Sequence, residues 1–380
     1  MERRAPLRLH SRHASRKMKI GLVRRGFSPT GGAEAYLRRF ADAANAAGHL
    51  CVLFASEEWP SSAWSAERVR IPGASPRQFA DALAASRPRE RCDFLFSLER
   101  VWECDAYRAG DGVHAAWLAR RAMFEPAWRV FFRRFSGKHR DLLEIERALF
   151  TRGRAGLVIA NSKWIKGEIE QHFGFPAERI HVVYNGVPAF SPPPNARADV
   201  RKELGLGADN YVLLFAGSGW DRKGLRFAID AVNASNSRPT LLIAGRGKPE
   251  SMPHSDRVRF LGPVSEMSRV LAAADAFILP TLYEPFSNAC LEALAAGLPV
   301  LTTEHNGFAE IIERGVAGEI FPDPRDTAAL AAGIDHWADA ARRAEVRPRL
   351  LEKAARFTIE ENVRSTLAII EKARESGRSA

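Results

Sequence analysis

The stretch LPTLYEPFSNACLEALAAGLPVLTT, residues 279–303, determines how the rest of the chain is interpreted. An apolar strand pattern stops at Pro280, a helical pattern occupies residues 289–294, and a second apolar run follows Pro299. This order of strand, loop, helix and strand is the βαβ unit of a parallel sheet. The loop 281–288 is therefore expected at the carboxyl end of a strand, which is where open α/β sheets bind ligands.

Two carboxylates and several backbone amides in this stretch suit a nucleotide sugar. Glu284 lies in the loop, and Glu292 lies in the helix that follows. Phe286, Ser287 and Asn288 bring backbone N–H groups to the helix N-terminus, where a phosphate is favoured. The arrangement suits a sugar at one carboxylate, a diphosphate at the amides and a ribose at the other carboxylate. The alternative is that both glutamates are ordinary surface residues, as most carboxylates are.

The motif EPFSNACLEALAAGLPV resembles the signature of the retaining glycosyltransferases of family 4, in which two glutamates are separated by seven residues. That family has the GT-B fold, so the resemblance implies an α/β protein with two Rossmann-like domains whose parallel sheets face a central cleft. It also implies that Glu284 contacts the donor sugar and that Glu292 contacts the nucleotide ribose. The implied reaction retains the anomeric configuration and uses no metal ion or other cofactor.

Composition limits the class of protein. The chain has 380 residues, of which 46% are hydrophobic and 27% charged, so it can bury two full cores. The net charge of +11 favours an anionic partner without identifying it. The four cysteines form no C-x-x-C pair, which fits reduced thiols better than a disulfide framework or a zinc site. No apolar run is long enough for a membrane-spanning helix.

The pattern of elements predicts the following domain organisation. Residues 1–17 are rich in arginine and lack an apolar run, so we expect a disordered basic tail and not a secretory signal. Met18 begins a strand pattern and is a candidate translation start. We expect an N-terminal Rossmann-like acceptor domain at 18–190, a proline-rich linker at 191–196, and a nucleotide-sugar domain at 197–355. The helix pattern at 356–380 is expected to cross back to the first domain.

The first strand runs into a glycine pair and a helix. Gly31 and Gly32 allow a ligand to approach backbone amides, although a glycine pair is often only a turn. The segment GGAEAYLRRFADAANAAGH resembles the first βα unit of family 4. The resemblance implies that this loop faces the donor diphosphate and the acceptor, with the two glycines on the donor side and Glu34 on the acceptor side.

The segment YRAGDGVH ends with Asp111 and His114. An Asp and a His this close can form an acid/base or orienting pair, or a turn with a cap. The runs DAYRAGDGVHAAWLARR and FRRFSGKHRDLLEIERALF are similar to the subgroup that adds sugars to the heptose core of bacterial lipopolysaccharide. This resemblance implies an acceptor-side position for Asp111, with His114 as a second acceptor-side candidate.

The second half contains a phosphate-binding candidate in the segment GSGWDRKG, residues 217–224. Lys223 is placed to meet phosphate as a point charge, and Arg222 offers a forked donor beside it. The segment is not a Walker motif, and the next strand ends in Gly245 instead of the acidic residue of a dinucleotide site. The resemblance implies that Arg222 replaces the arginine that family 4 usually has at position 218. It also adds three donor-side residues, namely Gly217, Gly245 and, near the base, Val264.

An aromatic stripe with interleaved arginines indicates a surface contact. Phe124, Trp128, Phe131, Phe132 and Phe135 recur at spacings of three and four, with Arg129, Arg133 and Arg134 between them. Such a stripe is compatible with a packed core or with an interfacial helix at an anionic membrane. No RNA-binding motif accompanies it, so nucleic acid is not an expected partner.

These observations predict a glycosyltransferase that moves a hexose, with glucose preferred, from a UDP-sugar or related donor to a lipopolysaccharide core or other glycolipid or polysaccharide acceptor. The predicted catalytic residues are Asp111, Lys223 and Glu284, and no metal site is expected. The predicted location is the cytoplasmic face of a bacterial inner membrane, as a peripheral protein. The alternatives are a sugar phosphorylase or epimerase of the same fold, and a non-catalytic basic membrane- or RNA-binding protein.

Overall fold

The computed structural model describes residues 17–27, 32–133 and 135–376. Within these ranges, thirteen strands form two sheets in which all neighbouring strands run parallel. The predicted pair of Rossmann-like α/β domains is confirmed. The predicted basic tail lies outside the described residues except for Lys17.

The first sheet has seven strands in the order β3-β2-β1-β4-β5-β6-β7. The strand order reverses between β1 and β4, and a reversal of this kind opens a ligand crevice at the carboxyl ends of the strands. The strands are Lys19–Arg24 (β1), Leu50–Ala55 (β2), Glu67–Arg70 (β3), Phe94–Ser97 (β4), Cys104–Ala109 (β5), Ala155–Ala160 (β6) and Ile180–Val182 (β7).

The second sheet has six strands in the order β10-β9-β8-β11-β12-β13, with its reversal between β8 and β11. Every residue of β8, β11 and β12 is buried, as expected for parallel strands covered by helices on both faces. The strands are Val212–Ala216 (β8), Thr240–Ala244 (β9), Val258–Gly262 (β10), Ala276–Leu279 (β11), Val300–Thr303 (β12) and Gly318–Phe321 (β13).

Helices alternate with the strands in both domains. Several begin at a short polar residue whose side-chain oxygen accepts a first-turn backbone N–H, as Ser162 does for α6 and Ser287 does for α11. The helices are Gly32–Ala46 (α1), Pro76–Ala85 (α2), His114–Ala122 (α3), Ala127–Arg133 (α4), Gly137–Thr151 (α5), Lys163–Phe173 (α6), Ala196–Glu203 (α7), Trp220–Lys223 (α8), Leu225–Ala234 (α9), Met267–Ala273 (α10), Asn288–Ala295 (α11), Thr327–His336 (α12), Ala340–Ala354 (α13) and Ile359–Ser376 (α14).

The last helix, α14, packs against α1 of the first domain. Val363, Leu367 and Ile370 are buried in the same cluster as Leu37 and Phe40. The chain therefore contributes its C-terminal helix to the core of the domain that it begins with.

All four cysteines are buried as free thiols. In the part of the chain that the structure describes, no helix has the length and apolar character needed to cross a membrane.

Candidate active site

A cavity of about 500 Å³ lies between the two domains. Its walls come from the loops after β5 and β11, the end of α8 and the first turns of α11, and from Arg24 and Arg108 of the first sheet. Both sheets therefore direct their carboxyl ends toward one cleft. Six of the predicted site residues line this cavity: Asp111, Lys223, Glu284, Phe286, Asn288 and Glu292.

Two cations meet the carboxylate of Glu284. Arg222 Nη1 donates to Glu284 Oε2 at 2.8 Å, and Lys223 Nζ lies 3.4 Å from the same oxygen. The lysine approaches over Gly217, where a Cβ would lie only 2.7 Å from Nζ. Lys223 lines the cavity, whereas Arg222 is also bonded to the Tyr283 carbonyl at 2.8 Å. Arg222 therefore fixes the loop that carries Glu284, and Lys223 presents its charge to the cleft.

The backbone of Glu284 is held by the segment after β12. Its N–H donates to the His305 carbonyl at 2.8 Å, and its carbonyl accepts from Gly307 N–H at 2.9 Å. Asn306, between these partners, is buried and donates through Nδ2 to Thr302 Oγ1 at 3.0 Å. Asn306 was not predicted from the sequence, where the available signal was a polar residue placed between a buried strand and a short helix.

One backbone amide at the start of α11, that of Ser287, does not have the predicted role. The Ser287 N–H donates to Asn306 Oδ1 at 3.2 Å, and the Ser287 hydroxyl accepts from Cys290 N–H at 3.2 Å. Ser287 is thus a helix cap whose own amide is already used within the protein, and we correct its predicted place among the phosphate-binding amides. Phe286 and Asn288 border the cavity on either side of it.

Glu292 also lines the cavity, from α11. Burial raises its pKa, and the positive charge of Lys223 opposes that shift. The E-x7-E pair is therefore brought to one cavity, with Lys223 acting on both carboxylates.

The first-domain wall contains Asp111 and Arg24. Asp111 is exposed and follows β5. Arg24 donates to Glu99 Oε1 at 2.9 Å and lies 3.5 Å from Glu34 Oε1. Glu34 is buried next to Arg24 and does not line the cavity. It therefore holds Arg24 in place, and its predicted position on the acceptor side is corrected.

His114 is not part of the cleft wall, contrary to its predicted acceptor-side position. Its N–H donates to Glu146 Oε1 at 2.7 Å, and its ring Nε2 lies 3.1 Å from His139 Nδ1. Burial lowers the pKa of His114 to about 4, with a further contribution from Arg100. A neutral, packed histidine at the start of α3 is a structural residue, so Asp111 and His114 do not form a pair in the cleft.

The other predicted donor-side residues that the structure describes, Gly32, Gly245 and Val264, do not border the cavity. Gly245 N–H donates to the Gly262 carbonyl at 2.8 Å, so the loops after β9 and β10 are joined. Val264 is partly buried against the second core and does not border the cavity. Gly32 begins α1, and Gly31 lies outside the described residues.

Tyr283 joins the two domains next to Glu284. Its hydroxyl accepts from Val113 N–H at 2.8 Å and donates to Glu168 Oε2 at 2.6 Å. A Cβ at Gly112 would lie 2.6 Å from this hydroxyl, so the turn requires glycine there. Burial raises the pKa of Glu168 to about 7. This contact could not be predicted from the sequence because its partners are distant in the chain.

Asn185 forms a second bridge across the cleft. Its Nδ2 donates to Asn288 Oδ1 at 2.8 Å, and its Oδ1 accepts from Arg108 Nη2 at 2.9 Å. Both Asn185 and Arg108 line the cavity and were not among the predicted site residues. An asparagine before glycine at the end of the first domain was the signal for Asn185.

Two family models match the chain. The first, described as Glycosyltransferase Family 4, matches residues 30–189, and the second, described as Glycosyl transferases group 1, matches residues 210–339. Each match falls on one of the two Rossmann-like domains, and together they cover more than half of the chain. Two such domains around a charged cleft define the GT-B class. The chain belongs to the glycosyltransferases that these two models describe.

Individual relatives agree with this assignment. The lipopolysaccharide glucosyltransferase WaaG of Escherichia coli is 26% identical over 321 residues, which are 78% of this chain and 83% of that protein. An uncharacterized glycosyltransferase of Methanocaldococcus jannaschii is 32% identical over 194 residues. That match spans 47% of this chain and only 50% of the archaeal protein.

Solved structures establish the fold. A crystal structure of WaaG, described as a glycosyltransferase of lipopolysaccharide biosynthesis, has a TM-score of 0.78 at 21% identity, covering 92% of this chain and 99% of that one. Anabaena HepE in complex with UDP and glucose has a TM-score of 0.68 at 20% identity, with the same coverage. The predicted GT-B arrangement is confirmed.

Proposed function

We propose that this glycosyltransferase moves a hexose, with glucose as the first candidate, from a UDP-sugar to a lipopolysaccharide core or other glycolipid or polysaccharide acceptor. Two relatives support the choice. One is named a lipopolysaccharide glucosyltransferase and aligns over 83% of its length. The other is a structural neighbour solved with UDP-glucose.

The observation that carries the proposal is the meeting of Lys223, Glu284 and Glu292 in one interdomain cavity. Glu284 is held within reach of a sugar by its backbone and by Arg222. Lys223 supplies the positive charge that a departing diphosphate requires. Glu292 lines the same cavity and accepts hydrogen bonds from the ribose hydroxyl groups.

The acceptor enters from the first domain in this proposal. Asp111 is exposed on the opposite wall and can accept a hydrogen bond from the acceptor hydroxyl. Transfer takes place on the same face as the departing diphosphate, whose oxygen assists in removing the acceptor proton, and the anomeric configuration is retained. The charge of Lys223 and the α11 amides stabilises the diphosphate, so a metal ion is not required.

The test is a donor screen with UDP-glucose, UDP-galactose, GDP-mannose and ADP-heptose, read as thermal stabilisation and as sugar transfer to deacylated lipopolysaccharide core. NMR of the product determines the anomeric configuration, and a chelator tests the need for a metal ion. We expect stabilisation by UDP-glucose, a retained anomeric configuration and full activity with chelator. Inversion, or loss of activity that only added metal restores, would contradict the mechanism.

Contact with an anionic membrane is the second part of the proposal. Trp128, Phe131, Phe132 and Phe135 are 53–73% exposed, so these side chains are not in the core. Phe124 differs because it packs against Phe227 of the second domain at 6.1 Å. The exposed aromatic groups on and just after α4, together with Arg129, provide the apolar and basic elements of an interfacial contact.

Vesicle sedimentation tests this contact. We expect salt-sensitive binding to anionic vesicles, weak binding to neutral ones, and a loss of binding when Arg129, Arg133 and Arg134 are replaced by Gln. Arg133 already pairs with Glu125, and Arg134 lies outside the described residues. Of the two arginines that the structure describes, Arg129 should therefore account for most of the effect. Each basic residue near an anionic bilayer contributes about 1 kcal/mol. If neither the wild type nor the triple variant sediments with anionic vesicles, this membrane contact is refuted.

A further inference from the structure

A second cavity, of about 550 Å³, lies in the first domain against one face of α5. We name it the arginine pocket because its wall includes Arg133, Arg140, Arg147 and Arg152, together with His139 and Glu144. None of these residues borders the interdomain cleft. The pocket is therefore separate from the proposed transfer site.

Most of the positive charge in the arginine pocket is not neutralised within the protein. Glu144 pairs with Arg77 at 2.5 Å, outside the pocket, and Arg133 pairs with Glu125. Across the described residues, no carboxylate forms an ion pair with Arg140, Arg147 or Arg152. All three arginines are exposed, so their guanidinium groups are hydrated and available to an incoming anion.

His139 responds to the same positive field. Burial lowers its pKa, and Arg121, Arg133 and Lys138 lower it further. Its Nδ1 lies 3.1 Å from His114 Nε2, so when both rings are neutral one of these nitrogens carries a hydrogen and donates it to the other. Because His139 borders the pocket, its ring is a local reporter for any anion bound there.

The shape and chemistry of the pocket indicate the class of ligand. Arg140 and Arg147 are seven residues apart on α5, so they lie on one helix face, and Arg152 follows as its cap residue. A planar guanidinium group donates two parallel hydrogen bonds to two oxygens of one phosphate. Leu143 adds an apolar side chain to the wall, which strengthens the electrostatic attraction between guanidinium and phosphate. The volume exceeds that of a phosphate ion and leaves room for a small polyol.

We propose that the arginine pocket binds a phosphate monoester carried on a small polyol, as in glycerol 3-phosphate or the headgroup of phosphatidic acid. Two of the lining residues, Arg133 and Ser136, directly follow the exposed Phe132 and Phe135 in the chain. A ligand anchored in a bilayer therefore reaches the pocket while the aromatic side chains contact the lipid. This site does not depend on sugar transfer.

The first experiment follows the His139 ring by NMR while glycerol 3-phosphate is added at constant ionic strength. We expect saturable shifts and a raised His139 pKa, because a bound dianion stabilises the imidazolium. In the variant Arg140→Gln, Arg147→Gln, Arg152→Gln, affinity should fall by roughly tenfold for each guanidinium removed. The control carries the same change in charge at three exposed arginines of the second domain, Arg314→Gln, Arg349→Gln and Arg356→Gln, and should bind as the wild type does.

The second experiment separates the two sources of the ligand. Vesicles with phosphatidic acid are compared with phosphatidylglycerol vesicles of equal surface potential. Saturable binding of glycerol 3-phosphate supports a pocket open to free ligand, and a preference for phosphatidic acid that the pocket variant loses supports a lipid-borne ligand. A His139 ring that responds to neither ligand, or equal losses in the pocket and control variants, overturns the proposal. Binding of UDP-glucose should be unchanged in both variants, so failure here is distinct from failure of the transferase assignment.

Discussion

The partly buried carboxyl of Glu168 should make stability depend on pH. Burial raises its pKa from 4.5 to about 7, and its partner Tyr283 reaches it from the other domain. The folded protein therefore holds this proton more tightly than the unfolded chain. The stabilisation is complete below about pH 4.5 and is lost as the pH rises through about 7.

The size of the effect follows from the two pKa values. A pKa difference of one corresponds to about 1.4 kcal/mol, so the full change for Glu168 is about 3 kcal/mol. Glu168→Gln imitates the protonated acid and keeps an oxygen that accepts from the Tyr283 hydroxyl. We expect this variant and the wild type to be nearly equally stable near pH 4, where the carboxyl is mostly protonated in both the folded and the unfolded state. Near pH 8 the variant should be more stable by up to about 3 kcal/mol.

Urea unfolding of the full chain, followed by tryptophan fluorescence, measures this difference. Two of the eight tryptophans, Trp164 and Trp117, lie 4.9 and 5.9 Å from the Tyr283 ring, so part of the signal comes from this junction. Glu178→Gln, at an exposed carboxylate of the same domain, is the control and should leave the pH profile unchanged. If the stability difference between Glu168→Gln and the wild type is the same at all pH values, the raised pKa of Glu168 is refuted.

Four further substitutions test the site. Glu284→Ala and Lys223→Ala should each reduce sugar transfer by about one to two decades at saturating donor while the fold survives. The reason is that hydrogen bonds to charged groups contribute roughly 1.5–3 kcal/mol. Near-normal turnover with either variant would contradict the assignment. Asp111→Asn should reduce transfer by about tenfold or more without changing donor affinity measured by calorimetry, and weaker donor binding would place Asp111 on the wrong side of the cleft. Tyr283→Phe leaves the Val113 N–H without its partner and should lower the free energy of unfolding by about 1–3 kcal/mol. We also expect a larger fall in kcat than in donor affinity. An unchanged kcat would show that this junction does not position the site.

The sequence predicted the parts of the site that depend on local periodicity. The strand pattern, the break at Pro280 and the helix pattern were sufficient to place Glu284 and Glu292 at the carboxyl edge of a parallel sheet. Lys223 followed from the same pattern at the end of β8. In each case the residue and the element that positions it are neighbours in the chain.

The contacts that could not be predicted join residues that are far apart. Tyr283 and Val113 are separated by 170 positions, and Ser287 and Asn306 by 19. From the sequence, the Ser287 N–H was expected to be free to bind a phosphate. In the structure this N–H already donates to the side chain of Asn306, which follows β12. His114 was misplaced for a similar reason, since its partner His139 belongs to another helix.

The aromatic stripe shows the limit of periodicity in another way. Spacings of three and four indicate one helix face but do not identify what covers it. In the structure Phe124 precedes α4 and packs against the second domain, whereas Phe132 and Phe135 remain more than half exposed. One stripe in the sequence thus contributes to two different surfaces.

The loop after β11 is held from both domains, and this has a consequence for catalysis. Within the second domain, Leu282 N–H donates to the Arg222 carbonyl at 2.8 Å. From the first domain, Ser162 Oγ donates to the Pro285 carbonyl at 2.9 Å, and Val113 and Glu168 bond the Tyr283 hydroxyl. These bonds flank Glu284 in sequence, so opening the cleft must break contacts on either side of it. The contacts of Glu284 itself all lie within the second domain, with Arg222 and Lys223 at its carboxylate. Closure of the domains therefore brings the first-domain wall that carries Asp111 to a glutamate that is already in place.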